Sequence, residues 1–250
     1  MKARNREDGQ AAVETAIVLP LFVFLILGTL QLGLMHQARL MTKYAAYKAV
    51  RAGSIHSANV GQMEKAALGV LLPMVSKPSG GAEYIKTVTS GSEFAAKFAW
   101  PEVMANKMMD SALKYAEVTI CGPLRNEVGG GSGEFDFDNP KNSASDDWAQ
   151  GQRTKLRVQV TFNYRMPIPF ADMVIYQIVR ARELPPVLRL GKTPQNERKF
   201  RKNDGQYEAA AAQRHYVLPI RATYTMRMQS NFFLSQNPLP QRNECVFTWQ

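Results

Sequence analysis

The strongest constraint on this 250-residue chain is one apolar run near its start. From Thr15 to Met35, TAIVLPLFVFLILGTLQLGLM, there is no charged side chain. A bilayer core is crossed by about 20 helical residues, and this stretch has that length. Pro20 and Gly28 fall inside it, and both are better tolerated in membrane helices than in soluble ones. A cleaved secretory signal has a shorter apolar core followed by a small-residue cleavage site. TLQLGLM offers no such site. Residues 10–35 are therefore expected to cross a lipid bilayer once and to stay with the chain. No other run of this length exists, so 36–250 is expected to fold as a domain outside the membrane. Its apolar fraction of 45% and charged fraction of 21% are ordinary globular usage, and the length suffices for a sizeable core.

Residues 1–9, MKARNREDG, are polar and charged. Glu14 stands at the very start of the apolar run. A carboxylate in the hydrocarbon centre costs about 2.5–3.5 kcal/mol on insertion scales, and less near the interface. A plain signal anchor explains the run and the basic leader but gives no role to Gly9 or Glu14. A cut after Gly9 gives a role to both. The new α-amino group then lies on Gln10, four residues before Glu14 and on the same helical face. Terminus and carboxylate can neutralise each other, within one subunit or between neighbours.

Gly9 followed by QAAVE and an apolar helix resembles the processing site of type IV prepilins, with Gly before the cut and Glu at the fifth mature position. The longer string GQAAVETAIVLPLFVFLILGTLQLG resembles the TadE-like pseudopilins of tight-adherence (Tad) pilus systems. YAAYKAVRAGS, residues 44–54, is similar to the Ala-Ala-Arg-Ala-Gly ending of that family's helix. LRVQVTFNY and IRATYTMRM resemble, more faintly, its C-terminal strands. Thr15 stands where the small major pilins of Tad systems carry Tyr, and at 28.0 kDa the chain is far larger than they are.

The resemblance implies a minor pseudopilin, a structural and assembly subunit without a cofactor. Its leader is 1–9, and the cut between Gly9 and Gln10 is made by a prepilin peptidase. The implied partners are that peptidase, other pilins and pseudopilins, and the membrane platform proteins of the machine. The implied location is the bacterial inner membrane or a pilus, with the N-terminus cytoplasmic and the domain extracytoplasmic. Charge does not decide orientation. Lys2, Arg4 and Arg6 precede the run, while Arg39, Lys43, Lys48 and Arg51 follow it. The alternative function is a single-pass envelope binding or adhesion protein.

After Met35 the helix is expected to continue to about Gly53. Leu34, Met41, Ala45, Ala49 and Ala52 form one apolar face, with Lys43, Tyr44, Tyr47, Lys48 and Arg51 largely off it. Such a helix has about 45 residues and is roughly 65 Å long. Residues 57–72 predict a second helix ended by Pro73, KPSGG at 77–81 a turn, and 93–114 a helix interrupted at Pro101. YAEVTIC, 115–121, alternates like a strand. In KLRVQVTFNYRMPI, 155–168, Leu156, Val158, Val160 and Phe162 share one face, with Arg157, Gln159 and Thr161 on the other. A further strand runs from about Tyr216 to Met228. The expected fold class is α+β, a long N-terminal helix packed on a small antiparallel sheet.

Cys121 and Cys245 lie far apart and belong to no metal-ligand pattern. In an oxidising compartment they read as one long-range disulfide, the alternative being two buried thiols. The acidic loop with Asp136, Asp138, Asp146 and Asp147 fails the EF-hand spacing, since Pro140 occupies a ligand position. GGGSG at 129–133 lacks the Lys-Ser or Lys-Thr of a phosphate loop and reads as a linker. His36, His56 and His215 form no metal or catalytic pattern, so an enzyme is not expected. The net charge is +10, and Arg180, Arg182, Arg189, Lys192, Arg198, Lys199, Arg201 and Lys202 crowd one segment. That segment reads as solvated, with an anionic-surface patch as the functional alternative. Phe200 is its only aromatic, so nucleic acid is not the expected partner.

Overall fold

The computed structural model describes residues 7–79, 82–85, 87–108, 111, 113–129, 133–143, 151–180 and 204–246. Helix α1, Glu7–Ile55, is unbroken over 49 residues, about 73 Å. In its membrane-type half every side chain from Ala11 to Ile26 is exposed. Its outer half is the spine of the domain. Ala38, Thr42, Ala45, Ala46, Ala49 and Val50 are fully buried, a face wider than the apolar spacing alone marks out.

Helix α2, Val60–Leu71, turns back along α1 and buries Met63, Ala67, Leu68 and Leu71. Asn59 caps it by accepting the Gln62 N–H at 3.1 Å. The tight return uses left-handed backbone at Ser57 and Ala58. The free carbonyls that end α1 find donors. Ser54 O accepts the Gln229 N–H at 3.0 Å and the Ser230 hydroxyl at 2.9 Å, and Gly53 O accepts the Ala58 N–H at 2.8 Å.

The other flank of α1 lies on a three-stranded antiparallel sheet in the order β3 (Ala116–Gly122), β5 (Lys155–Arg165), β6 (Val217–Arg227). The β5–β6 register runs from Lys155↔Arg227 to Arg165↔Val217. Leu156, Val158, Val160, Phe162 and Tyr164 fill the core, which is the apolar face the alternation marks. The fold is thus mixed α+β, an apolar N-terminal helix followed by a region with a small antiparallel sheet.

The polar face of β5 is buried too, with Gln159, Thr161, Asn163 and Arg165 all largely sequestered. A second layer covers it. Tyr207, on the short helix Asp204–Ala212, donates its hydroxyl to Asn163 Oδ1 at 2.7 Å. The C-terminal segment lies alongside, where Gln159 exchanges two 2.9 Å hydrogen bonds with the backbone of Val246. Cys245, next to Val246, is bonded to Cys121 at the end of β3, with Cα atoms 5.5 Å apart and a separation of 124 positions in sequence.

Two expectations are corrected. The region 93–114 is not one interrupted helix. Helices α3 (Gly91–Phe98) and α4 (Pro101–Met104) are short, and helix ends before Asn106. Asn106 takes left-handed backbone at φ 49°, and its amide bonds both backbone groups of Ala116, at 2.6 and 3.0 Å. That pairing begins β3 in place of a longer helix. Residues 77–79, read as part of a turn, are strand: β1 (Ser76–Ser79) pairs with β2 (Ala82–Ile85) as a hairpin. The two-residue strands β4 (Glu134–Phe135) and β7 (Phe232–Phe233) pair with each other, and a single helical turn, α5 (Pro140–Ser143), follows β4.

Candidate assembly surface

Gly9, Gln10 and Glu14 lie on the continuous backbone of α1, with Gln10 and Glu14 one turn apart. Side chains are described from Ala11 onward, and Glu14 is exposed. Around and beyond it the helix presents Val13, Ile17, Val18, Leu19, Leu21, Phe22, Val23, Phe24, Leu25 and Ile26 on every side. No face is polar enough for water, and none is covered by the described residues of the domain. Contiguous apolar surface of this extent requires lipid or other apolar helices around it. The hydroxyls within the run do not oppose this. Thr15 donates to Ala11 O and Thr29 to Ile26 O, each at 2.8 Å. The helix also passes through Pro20 without a break.

Gln31 closes this surface. Its side chain is fully buried, and its Oε1 accepts the Ile168 N–H at 3.1 Å. The domain therefore grips α1 back into the apolar run, one turn before Met35. Tyr164 lies buried at the same level, with Gln31 beside its hydroxyl. Neither the hydroxyl nor Gln31 Nε2 reaches hydrogen-bond geometry with a partner. Burial pushes the Tyr164 hydroxyl up to about 12, and the neighbouring Gln31 amide opposes this only in part. Burial also raises the carboxyl of Asp172, which is held by the Met173 N–H at 2.6 Å.

At the far end of the helix, Gly53 is the contact point of three elements. A Cβ there would run into Met63 Sδ of α2 and lie 2.7 Å from Leu156 Cδ2 of β5. The sequence marked Gly53 only as a helix stop. Nothing local signalled its close approach, or the role of Gln31. A lone Gln in an apolar run reads as merely tolerated.

The other motifs carry little chemistry. Asp136 accepts the Asp138 N–H at 2.9 Å as an ordinary turn contact, while Asp146 and Asp147 lie outside the described residues. Seven of the eight clustered basic residues, Arg182 to Lys202, also lie outside them, and Arg180 ends a helix. Among the described residues no three His, Cys, Asp or Glu side chains gather as a metal site. A cavity of about 200 Å³ on the polar side of the sheet is lined by Lys114, Glu117, Thr119, Thr161 and Arg221.

The exposed apolar helix is long and apolar enough to cross a membrane, by length and composition, and it continues as the spine of a helix-on-sheet domain. Residues 9–51 match the family model described as TadE-like protein, from Gly9 through the exposed run and most of the buried face of α1. The match is consistent with a TadE-like protein, and that family is structural and associated with Tad pili rather than enzymatic. No curated protein and no solved structure matches the chain.

Proposed function

We propose that this protein is a minor pseudopilin of a Tad-type pilus or secretion machine, processed after Gly9 by a prepilin peptidase. In this reading residues 1–9 are the leader, 10–35 cross the inner membrane with the N-terminus cytoplasmic, and 36–250 form the extracytoplasmic domain. The observation that carries it is the exposure of every side chain from Ala11 to Ile26 on a helix whose outer half is a buried spine. A subunit built this way can exchange lipid for neighbouring helices without rearranging its domain. The TadE-like match over 9–51 supports the same reading. Other pilins, pseudopilins and platform proteins are then its partners.

Glu14 supplies the specificity of assembly. In a bundle it loses interfacial water and takes a neighbour's Gln10 ammonium as counter-charge. Removing the carboxylate leaves that ammonium unpaired in a low dielectric, which is costly, while insertion is unharmed or eased. Glu14→Gln is expected to be cleaved and inserted normally but to lose co-purification with partner pilins. Normal co-purification and assembly of that variant contradicts the proposal. An envelope binding protein using the cavity beside Arg221 would keep its function in the same variant.

A further inference from the structure

The segment Met166–Val179, MPIPFADMVIYQIV, carries one charged residue, Asp172. An apolar stretch of this length is too short to span and is either core or interfacial. It is only partly core. Its helix, α6 (Ala171–Arg180), buries Ala171 and Tyr176 and rests Ile175 and Val179 on the core. The opposite arc carries Met173, Gln177 and Ile178 at the surface, with Val174 between them. Met173 is 47% exposed, Ile178 63%, and Phe170, just before the helix, 72%. Phe170 also holds a left-handed backbone, φ 67°, which a bulky residue adopts only at a cost.

The height of this face is fixed by the Gln31–Ile168 hydrogen bond. Gln31 lies four residues before Met35, the last of the charge-free run, or about 6 Å inside it along the helix axis. A helix tethered beside Gln31 therefore lies at the boundary of headgroups and acyl chains whenever α1 spans a bilayer. Three backbone donors nearby are satisfied within the protein. Ile168 N–H goes to Gln31, Asp172 N–H to Ile168 O at 3.1 Å, and Val174 N–H to Phe170 O at 3.3 Å, while Pro167 and Pro169 have none to place. Burial that favours the neutral form of Asp172 suits the same environment.

We propose that Phe170 and the outward arc of α6 form an interfacial membrane-binding face, inserted among the lipids that surround α1. It fixes the tilt and height of the domain over the bilayer. The inference rests on α1 spanning the membrane.

The test uses the full chain in vesicles of phosphatidylethanolamine and phosphatidylglycerol. Because Cys121 and Cys245 are bonded to each other, a single introduced cysteine takes a spin label. Phe170→Cys, Met173→Cys and Ile178→Cys are compared with Leu25→Cys in the apolar run and Ile55→Cys, 24 residues beyond Gln31. The labels at 170, 173 and 178 are expected to show an oxygen-to-nickel accessibility ratio several-fold above that at 55 and below that at 25. A deep label at 25 with values at 170, 173 and 178 equal to that at 55 overturns the inference and leaves the span intact. A water-like label at 25 refutes the span itself. Spin–spin broadening at 170, 173 and 178 that disappears on dilution with unlabelled protein overturns the inference in favour of contact between copies.

Discussion

Gln31 Oε1 accepts the Ile168 N–H at 3.1 Å, joining the apolar helix to the loop that opens α6. This bond sets where the membrane-type half of α1 ends and the domain begins. Gln31→Leu removes the acceptor and leaves the Ile168 N–H in apolar surroundings. The expected loss is about 1–3 kcal/mol, read by chemical unfolding in detergent. Faster hydrogen exchange at Ile168 should accompany it, while the sheet amides of β3 keep their relative order of protection.

Tyr164 makes stability fall in alkali. An unfolded tyrosine ionises near 10, whereas folded Tyr164 holds its proton to about 12. Between those values the unfolded chain has released a proton that the fold retains, so stability decreases as pH rises from 10 to 12. The interval corresponds to about 2–3 kcal/mol. Tyr164→Phe should remove this share of the alkaline loss. At neutral pH it should be neutral or stabilising, because the hydroxyl it deletes has no hydrogen-bond partner. Comparing unfolding free energies of the two proteins at each pH checks it.

The Cys121–Cys245 bond and the Gln159–Val246 pair hold the C-terminal segment over the polar face of β5. Replacing both cysteines by serine is expected to cost about 2–5 kcal/mol, by the chain-entropy account of a long closed loop. Full alkylation of both thiols in denatured protein never exposed to reductant would contradict the bond.

Gly53→Ala places a methyl group against Met63 and Leu156. Met63 Sδ ends a flexible side chain, but Leu156 is buried and cannot retreat far. The expected cost is about 1–3 kcal/mol, with Gly53→Val worse, measured by thermal unfolding. An unchanged Gly53→Ala protein would show that α1, α2 and β5 are not held at this spacing.

Elements with a strong period were legible in the sequence. Alternation marked β5 and β6, and length and apolarity marked α1. What stayed hidden depends on partners distant in sequence. Asn106 ends a helical pattern because it bonds Ala116, and Gln159 looks solvent-facing until Val246 arrives. The same holds for Gln31, whose partner lies 137 residues away. Gly9, Gln10 and Glu14 are legible as a motif, and their shared place on one unbroken helix adds geometry to it.

The proposed processing after Gly9 is read at the mature N-terminus. Mass analysis of the protein from membranes of cells assembling the machine should find a chain that begins at Gln10, free or cyclised. An intact Met1 end in those cells would contradict the account.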